Sequence, residues 1–79
     1  METRISKELK SIGERIRNIR LYRKLSQLDI EVATGIANAD ISRIEHGKKN
    51  VEVVTLIKLA IALDVELIEL FNEDGGMPK

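Results

Sequence analysis

The chain has 79 residues, equal numbers of basic and acidic side chains (13 of each), 43% hydrophobic and 3% aromatic residues, and no cysteine. This excludes a disulfide-stapled scaffold. With neither an apolar N-terminal signal region nor an 18-residue apolar run, the sequence reads as neither exported nor membrane-spanning, and it fits a reducing cytoplasm. One all-α domain over 1–79 is expected, with a core of Leu, Ile and Val over about 7–71. So small a core leaves only about 3–5 kcal/mol, which makes oligomerisation an expected supplement.

In chain order, the first helix is predicted from about Lys7 to Lys24, with Leu9, Ile12, Ile16 and Ile19 three or four residues apart and Arg15, Arg17 and Arg23 elsewhere on its circumference. It is a core helix with a basic face. Ser26 suits the N-cap of a second helix, its hydroxyl placed to accept from the N–H of Asp29. That helix ends near Thr34, and Gly35 supplies the positive φ that a helix end tends to need. A third helix is predicted from Asn38 to His46, stopping at Gly47, followed by the loop Lys48-Lys49-Asn50. The fourth, from Val53 to Leu63, is apolar through Val54, Leu56, Ile57, Leu59, Ala60, Ile61 and Leu63, and is expected to be buried on several sides. A fifth short helix is expected over Glu66 to Phe71, and Asn72 to Lys79, with Gly75, Gly76 and Pro78, as a frayed tail.

The segment SQLDIEVATGIANADISRIEHG (Ser26 to Gly47) is the most informative. Ile30, Thr34, Ile36, Ile41 and Ile44 can face one interior only if two short helices flank a tight turn at Gly35. That layout is a helix-turn-helix, whose second helix projects far enough to enter a DNA major groove. Charge placement is compatible with this. Residues 1–50 carry eleven bases against seven acids, a net +4, while residues 51–79 carry two against six, a net −4. A basic front and an acidic back can draw phosphates to one side.

Over Ile12 to Phe71 the sequence resembles the Cro/cI-type (XRE-like) helix-turn-helix family of phage repressors and small bacterial regulators. The resemblance rests on IGERIRNIR from Ile12, LSQ at Leu25 to Gln27, Gly35, ISRIEHGKKN from Ile41 to Asn50, and LIKLAIALDVELIELF from Leu56 to Phe71. It implies a compact, lambda-repressor-like bundle of five helices, acting as a homodimer on double-stranded DNA to regulate transcription, as a repressor or small controller. By the same resemblance Gln27 would bind phosphate and brace the recognition helix. Asn38, Ala39 and Arg43 would meet base edges, through adenine, a thymine methyl and guanine respectively. Lys48, Lys49 and Asn50 would grip the DNA backbone, and Arg20 and Glu45 would form a partly buried structural ion pair. For a subunit contact the residues put forward are Ile68 and Leu70, from a fifth helix richer in apolar residues than one bundle contact needs.

Three positions depart from the family pattern. Glu31 stands where a small residue is usual and is expected to tilt toward Arg43 or solvent, since an unpaired buried carboxylate is too costly. Thr34 replaces an apolar residue, and Ala37 replaces the usual Ser or Thr cap, so Asn38 is expected to cap the third helix instead. Asp40 is expected to favour the helix N-terminus or to orient Arg43, and it could also accept from cytosine N4.

Catalysis finds no support in the residues. His46 is the sole histidine, at a helix C-terminus, and neither a metal cluster nor a nucleophile constellation can be assembled, so no enzyme activity, metal or cofactor is expected. The competing reading is a partner-dependent regulator or protein-interaction module, such as an antitoxin-type component, that uses the acidic C-terminal half to bind another protein.

Overall fold

The computed structural model describes residues 3–72 and 76–78. Four α-helices follow one another, α1 (Arg4–Tyr22), α2 (Gln27–Thr34), α3 (Asn38–Glu45) and α4 (Val53–Ala62), and a 3₁₀ helix (Leu67–Phe71) closes the bundle. The described residues contain no strand, in keeping with the all-α expectation. The fifth helix differs from expectation: Glu69 donates to Glu66 O at 3.0 Å and Asn72 to Glu69 O at 3.4 Å, the three-residue spacing of a tight turn.

α1 begins three residues before the predicted start because the Thr3 hydroxyl accepts from Ser6 N–H at 3.1 Å and caps it. It ends at Tyr22 in a Schellman motif, with Leu25 N–H bonded to Arg20 O and Lys24 N–H to Leu21 O, both at 3.0 Å. The left-handed position is Lys24, at φ 60°. α4 ends the same way, Val65 bonding back to Ala60 O and Asp64 to Ile61 O, with Asp64 at φ 56°. At α3 the equivalent position is Gly47, at φ 71°.

Ile16 and Ile19 of α1, Ile30 of α2, Ile41 and Ile44 of α3, and Leu56, Leu59, Ala60 and Leu63 of α4 and its cap meet in one core with Leu70. Ile12, Leu25, Ile36, Val51, Val65 and Leu67 pack around its margin. α1 lies against α3 and the 3₁₀ helix, while α2 lies against α3 and α4.

α4 corrects an expectation. Only one face is buried: Val53, Val54, Ile57 and Ile61 are exposed, Ile61 at 73%. α4 is an outer helix, contacting α2 and the 3₁₀ helix on one side and facing outward on the other. The expected tail falls partly outside the described residues, at 73–75 and 79. Gly76, which is described, accepts a 3.0 Å bond from Arg15 Nη2 at its carbonyl.

Two glycines set how closely α3 approaches α1. A Cβ on Gly13 would collide with the backbone carbonyl of Ile44 and lie 2.7 Å from that of Glu45, and one on Gly47 would lie 2.7 Å from the Lys10 backbone. Helix-on-helix contact at Gly13 is therefore backbone on side-chain hydrogen alone. Gly13→Ala must push α3 off α1, and we expect a loss of about 3 kcal/mol, the upper part of the range for overpacking a rigid site. Urea unfolding at unchanged slope would read this as a lower midpoint, and an unaltered midpoint would show that α1 and α3 can separate freely.

Candidate nucleic-acid interface

The local sequence builds α2, the turn and α3 through side chains that satisfy helix ends. At the start of α2, Ser26 Oγ accepts from Asp29 N–H at 2.9 Å while Asp29 Oδ2 accepts from Ser26 N–H at 2.8 Å, a complete capping box. The backbone N–H of Ser26, and after it the Ser26 hydroxyl, hold the Asp29 carboxyl below the ordinary aspartate range. A carboxyl so depressed supports folding above its unfolded pKa and loses that effect as pH falls through the lower folded value.

α2 ends at Gly35, φ 77°, whose N–H bonds to Glu31 O at 2.8 Å. Thr34 is accommodated at the half-buried edge because its hydroxyl donates to Ile30 O at 2.7 Å and accepts from Ile36 N–H at 3.1 Å. The polar atom therefore stays with its own turn, and the methyl is left to pack.

Glu31 does not follow the expectation for it. Its Oε1 accepts from the Asn38 backbone N–H at 2.6 Å, so a carboxylate from α2 satisfies an orphan donor at the first turn of α3. Ala37 makes no side-chain cap. Glu31 thus takes the task assigned to Asn38, whose side chain is exposed beyond the cap.

Behind α3 lies the strongest polar contact of the structure. Arg20 Nε and Nη2 bind Glu45 Oε2 and Oε1 at 2.7 and 3.0 Å, and Arg20 Nη1 donates to Leu25 O at 2.8 Å. Both residues are buried. Gln27 Nε2 donates to Glu45 Oε1 at 3.2 Å, which ties the start of α2 to the end of α3. One carboxylate thereby joins α1, α2 and α3.

In front, Asn38, Ala39 and Arg43 are exposed on α3, and Lys48, Lys49 and Asn50 are exposed on the loop after it. Arg43 and the loop are drawn together by Asp40, whose Oδ1 lies 2.8 Å from Arg43 Nη1 and 3.1 Å from Lys49 Nζ. Lys49, chiefly, with a smaller contribution from Arg43, holds the Asp40 carboxyl below its ordinary range against the opposing effect of burial. Lys48 borders a shallow depression with Ser42, Arg43 and His46. His46 Nδ1–H donates to Ser42 O at 2.7 Å, closing the last turn of α3.

Arg15 of α1 and Arg23 at its C-cap leave the expected basic face. Arg15 is buried and binds the Glu69 carbonyl through Nε at 2.8 Å and the Glu69 carboxylate through Nη2 at 2.9 Å. Arg23 donates to Leu63 O at 3.1 Å and Asp64 O at 3.0 Å. Both serve the C-terminal half of the bundle, whose acidic excess supplies one of the partners. Of the residues put forward for a subunit contact, Leu70 is fully buried in the core and has no surface to offer, whereas Ile68 is 72% exposed. A period of three residues per turn swings adjacent side chains apart by about 120°, so a core Leu70 leaves Ile68 outside.

Two short helices joined at a left-handed glycine, the second held from behind and open in front, define a helix-turn-helix. The family model for helix-turn-helix proteins matches residues 16–70. The chain belongs to this family, of Cro/cI (XRE) type, whose members are DNA-binding transcription regulators. It is 34% identical over 69 residues to the uncharacterized HTH-type transcriptional regulator y4dJ of Sinorhizobium fredii, a match covering 87% of this chain and 90% of the relative. It is 41% identical over 68 residues to the HTH-type transcriptional repressor RghR of Bacillus subtilis, covering 85% of this chain and 50% of that protein. Among solved structures, the restriction-modification controller protein C.AhdI of Aeromonas hydrophila superposes with a TM-score of 0.80 at 37% identity, over 82% of this chain and 98% of that one.

The Arg20–Glu45 pair sets a clear expectation for stability. Glu45→Ala should cost about 3–5 kcal/mol by stranding a buried guanidinium, while the double change Arg20→Met with Glu45→Leu should cost less than Glu45→Ala alone. Chemical denaturation of the single and double variants measures this. Strict additivity would mean that the two charges act independently.

Proposed function

We propose that this chain is a cytoplasmic homodimer that regulates transcription by reading double-stranded DNA with α3 in the major groove. The observation that carries the reading is the two-sidedness of α3: buried isoleucines and Glu45 fix its rear, and Asn38, Ala39 and Arg43 stand open at its front. In this role Arg43 pairs with guanine, Asn38 with adenine, and Ala39 meets a thymine methyl. Lys48, Lys49 and Asn50 follow the backbone, with Gln27 able to offer its remaining amide hydrogen to a phosphate. The names of the relatives support regulation of transcription, and the likeness to a restriction-modification controller supports a small autonomous regulator. No helix among the described residues is long and apolar enough to cross a membrane.

The dimer is supported by surface the monomer leaves uncovered. Val53, Ile57 and Ile61 recur every four residues along the outward side of α4, Val54 lies beside them, and Ile68 and Phe71 are exposed on the 3₁₀ helix that α4 contacts. Apolar surface of this kind marks a contact site on a small protein. A second copy packed here would present two α3 helices to successive grooves, about 34–36 Å apart.

Selection of bound duplexes from a random pool, with the purified protein at physiological salt, tests the reading. Enrichment of a two-fold symmetric site is expected. A folded protein that enriches nothing would favour the partner-dependent module instead. On the selected site, Lys48→Ala should lower the slope of log affinity against log salt by about one, the signature of a single phosphate contact. Arg43→Ala should relax preference at one base position, costing about 1–3 kcal/mol there.

Ile61→Asp is expected to shift the protein to monomer in sedimentation equilibrium and to weaken binding to the full site more than to a half-site. A dimer unaffected by this change would place the subunit contact elsewhere.

A further inference from the structure

We infer that Asp40 is a specificity-determining residue, whose carboxylate holds Arg43 and Lys49 in the free protein and opposes their capture by DNA of the wrong sequence. This rests on the DNA-reading function proposed above. A single oxygen, Oδ1, takes a cation from α3 and another from the following loop, at 2.8 and 3.1 Å. The two cations are those to which base reading and backbone grip are assigned, so the carboxylate stands between them on the exposed front of α3. Asp40 is in the first turn of α3, where the helix dipole favours a negative charge and keeps it in place. Like any solvent-accessible aspartate it is ionised at neutral pH, and the contacts with Lys49 and Arg43 favour that charged form further.

The consequence for binding follows from what each cation gives up. On any duplex, a Lys49 that moves to a phosphate leaves Asp40, and Asp40 then faces a polyanion at close range. That penalty applies to every sequence. It is relieved only where a base pair presents an amino donor to the carboxylate, as cytosine N4 does in the major groove. Arg43 commits one nitrogen to Asp40, which leaves its Nε–Nη2 edge for guanine O6 and N7 and fixes the guanidinium plane before contact. Asp40 therefore weakens non-specific binding more than binding to the preferred site.

Asp40→Asn removes the charge at nearly constant shape, and binding to the wild-type-selected site and to an unrelated duplex of equal length, over a range of salt, tests the inference. The variant should bind the unrelated duplex about tenfold tighter, with a log–log salt slope steeper by about one as Lys49 becomes available to phosphate. Affinity for the selected site should change less, so the ratio of the two falls, and Asp40→Glu should restore most of it. A gain equal on both duplexes, or no change, would overturn the role. Lys49→Gln supplies a test that does not depend on changing Asp40: it should lower the wild-type slope on the unrelated duplex by much less than Lys48→Ala does. Equal effects of the two lysines would count against Asp40. If the wild-type protein prefers no sequence, the DNA-reading function fails and this inference with it; if the wild type discriminates and Asp40→Asn discriminates equally, only Asp40 is excluded.

Discussion

The polar contacts that hold the rear of α3 to α1 and α2 converge on the carboxylate of Glu45. It lies in the core, where an isolated charge would be untenable, and it is kept there by a bidentate guanidinium from α1 and an amide from α2. Such a pair contributes little net stability compared with well-packed apolar side chains, because desolvation of both ions offsets most of their attraction. Its geometric demand is stricter than that of any isoleucine in the core. The fork of Arg20 fits Glu45 in one orientation only, and a helix rotated by one residue would carry Glu45 out of reach. Gly13 belongs to the same constraint: the pair can close at 2.7 Å because α1 and α3 meet without a Cβ between them. Rigid placement of α3 is what the proposed reading role requires of it, since an error of an ångström at its rear would be passed on to any base contact made at its front.

The periodic parts of the fold were legible because periodicity is what burial imposes. Isoleucines at three- and four-residue spacing in α1, and the break at Gly35, are enough to draw the bundle and its turn. The helix ends were legible only where the chain uses conventional chemistry. Ser26 and Gly47 are standard punctuation, and the structure has a cap at the one and a left-handed helix end at the other. Lys24 and Asp64 occupy left-handed positions where glycine is usual, so the ends of α1 and α4 left no comparable mark. The capping of α3 was hidden for a different reason. Its donor is satisfied from Glu31, seven residues upstream and in another helix, and no rule of local spacing connects the two. A missing cap at Ala37 beside an unexpected carboxylate at Glu31 was the available signal, since two departures from a pattern can compensate each other across a turn.

Charge was the least legible property, because a count of side chains cannot separate those that face solvent from those that close the fold. The eleven bases of the first 50 residues suggested a basic front. Arg15 and Arg23 instead fasten the C-terminal segment through backbone carbonyls, Arg20 is buried with Glu45, and Arg43 and Lys49 share Asp40. The field that a phosphate meets is accordingly weaker than the formal balance of the two halves implies. In the proposed reading, attraction toward DNA depends on exchange of partners as well as on net charge. A surface whose cations already have anions binds any duplex less firmly, and gains most where the duplex replaces those anions with equivalent bonds.

The outward side of α4 shows the same ambiguity for apolar residues. Nearly continuous hydrophobicity from Val53 to Leu63 implies burial on several sides, and the bundle supplies cover for only one. Hydrophobic pattern reports how much of a helix avoids water, and says nothing about whether the cover comes from the same chain. Leu70 and Ile68 divide in this way within a single turn, one completing the core and the other left at its surface. For a chain of this length the two demands are linked. The core that a single copy assembles leaves Val53, Ile57 and Ile61 uncovered, and in the proposed dimer the pairing that covers them would also set the distance between two reading helices. Sequence in the C-terminal half would then govern the spacing of the DNA site, although none of its side chains need touch the DNA.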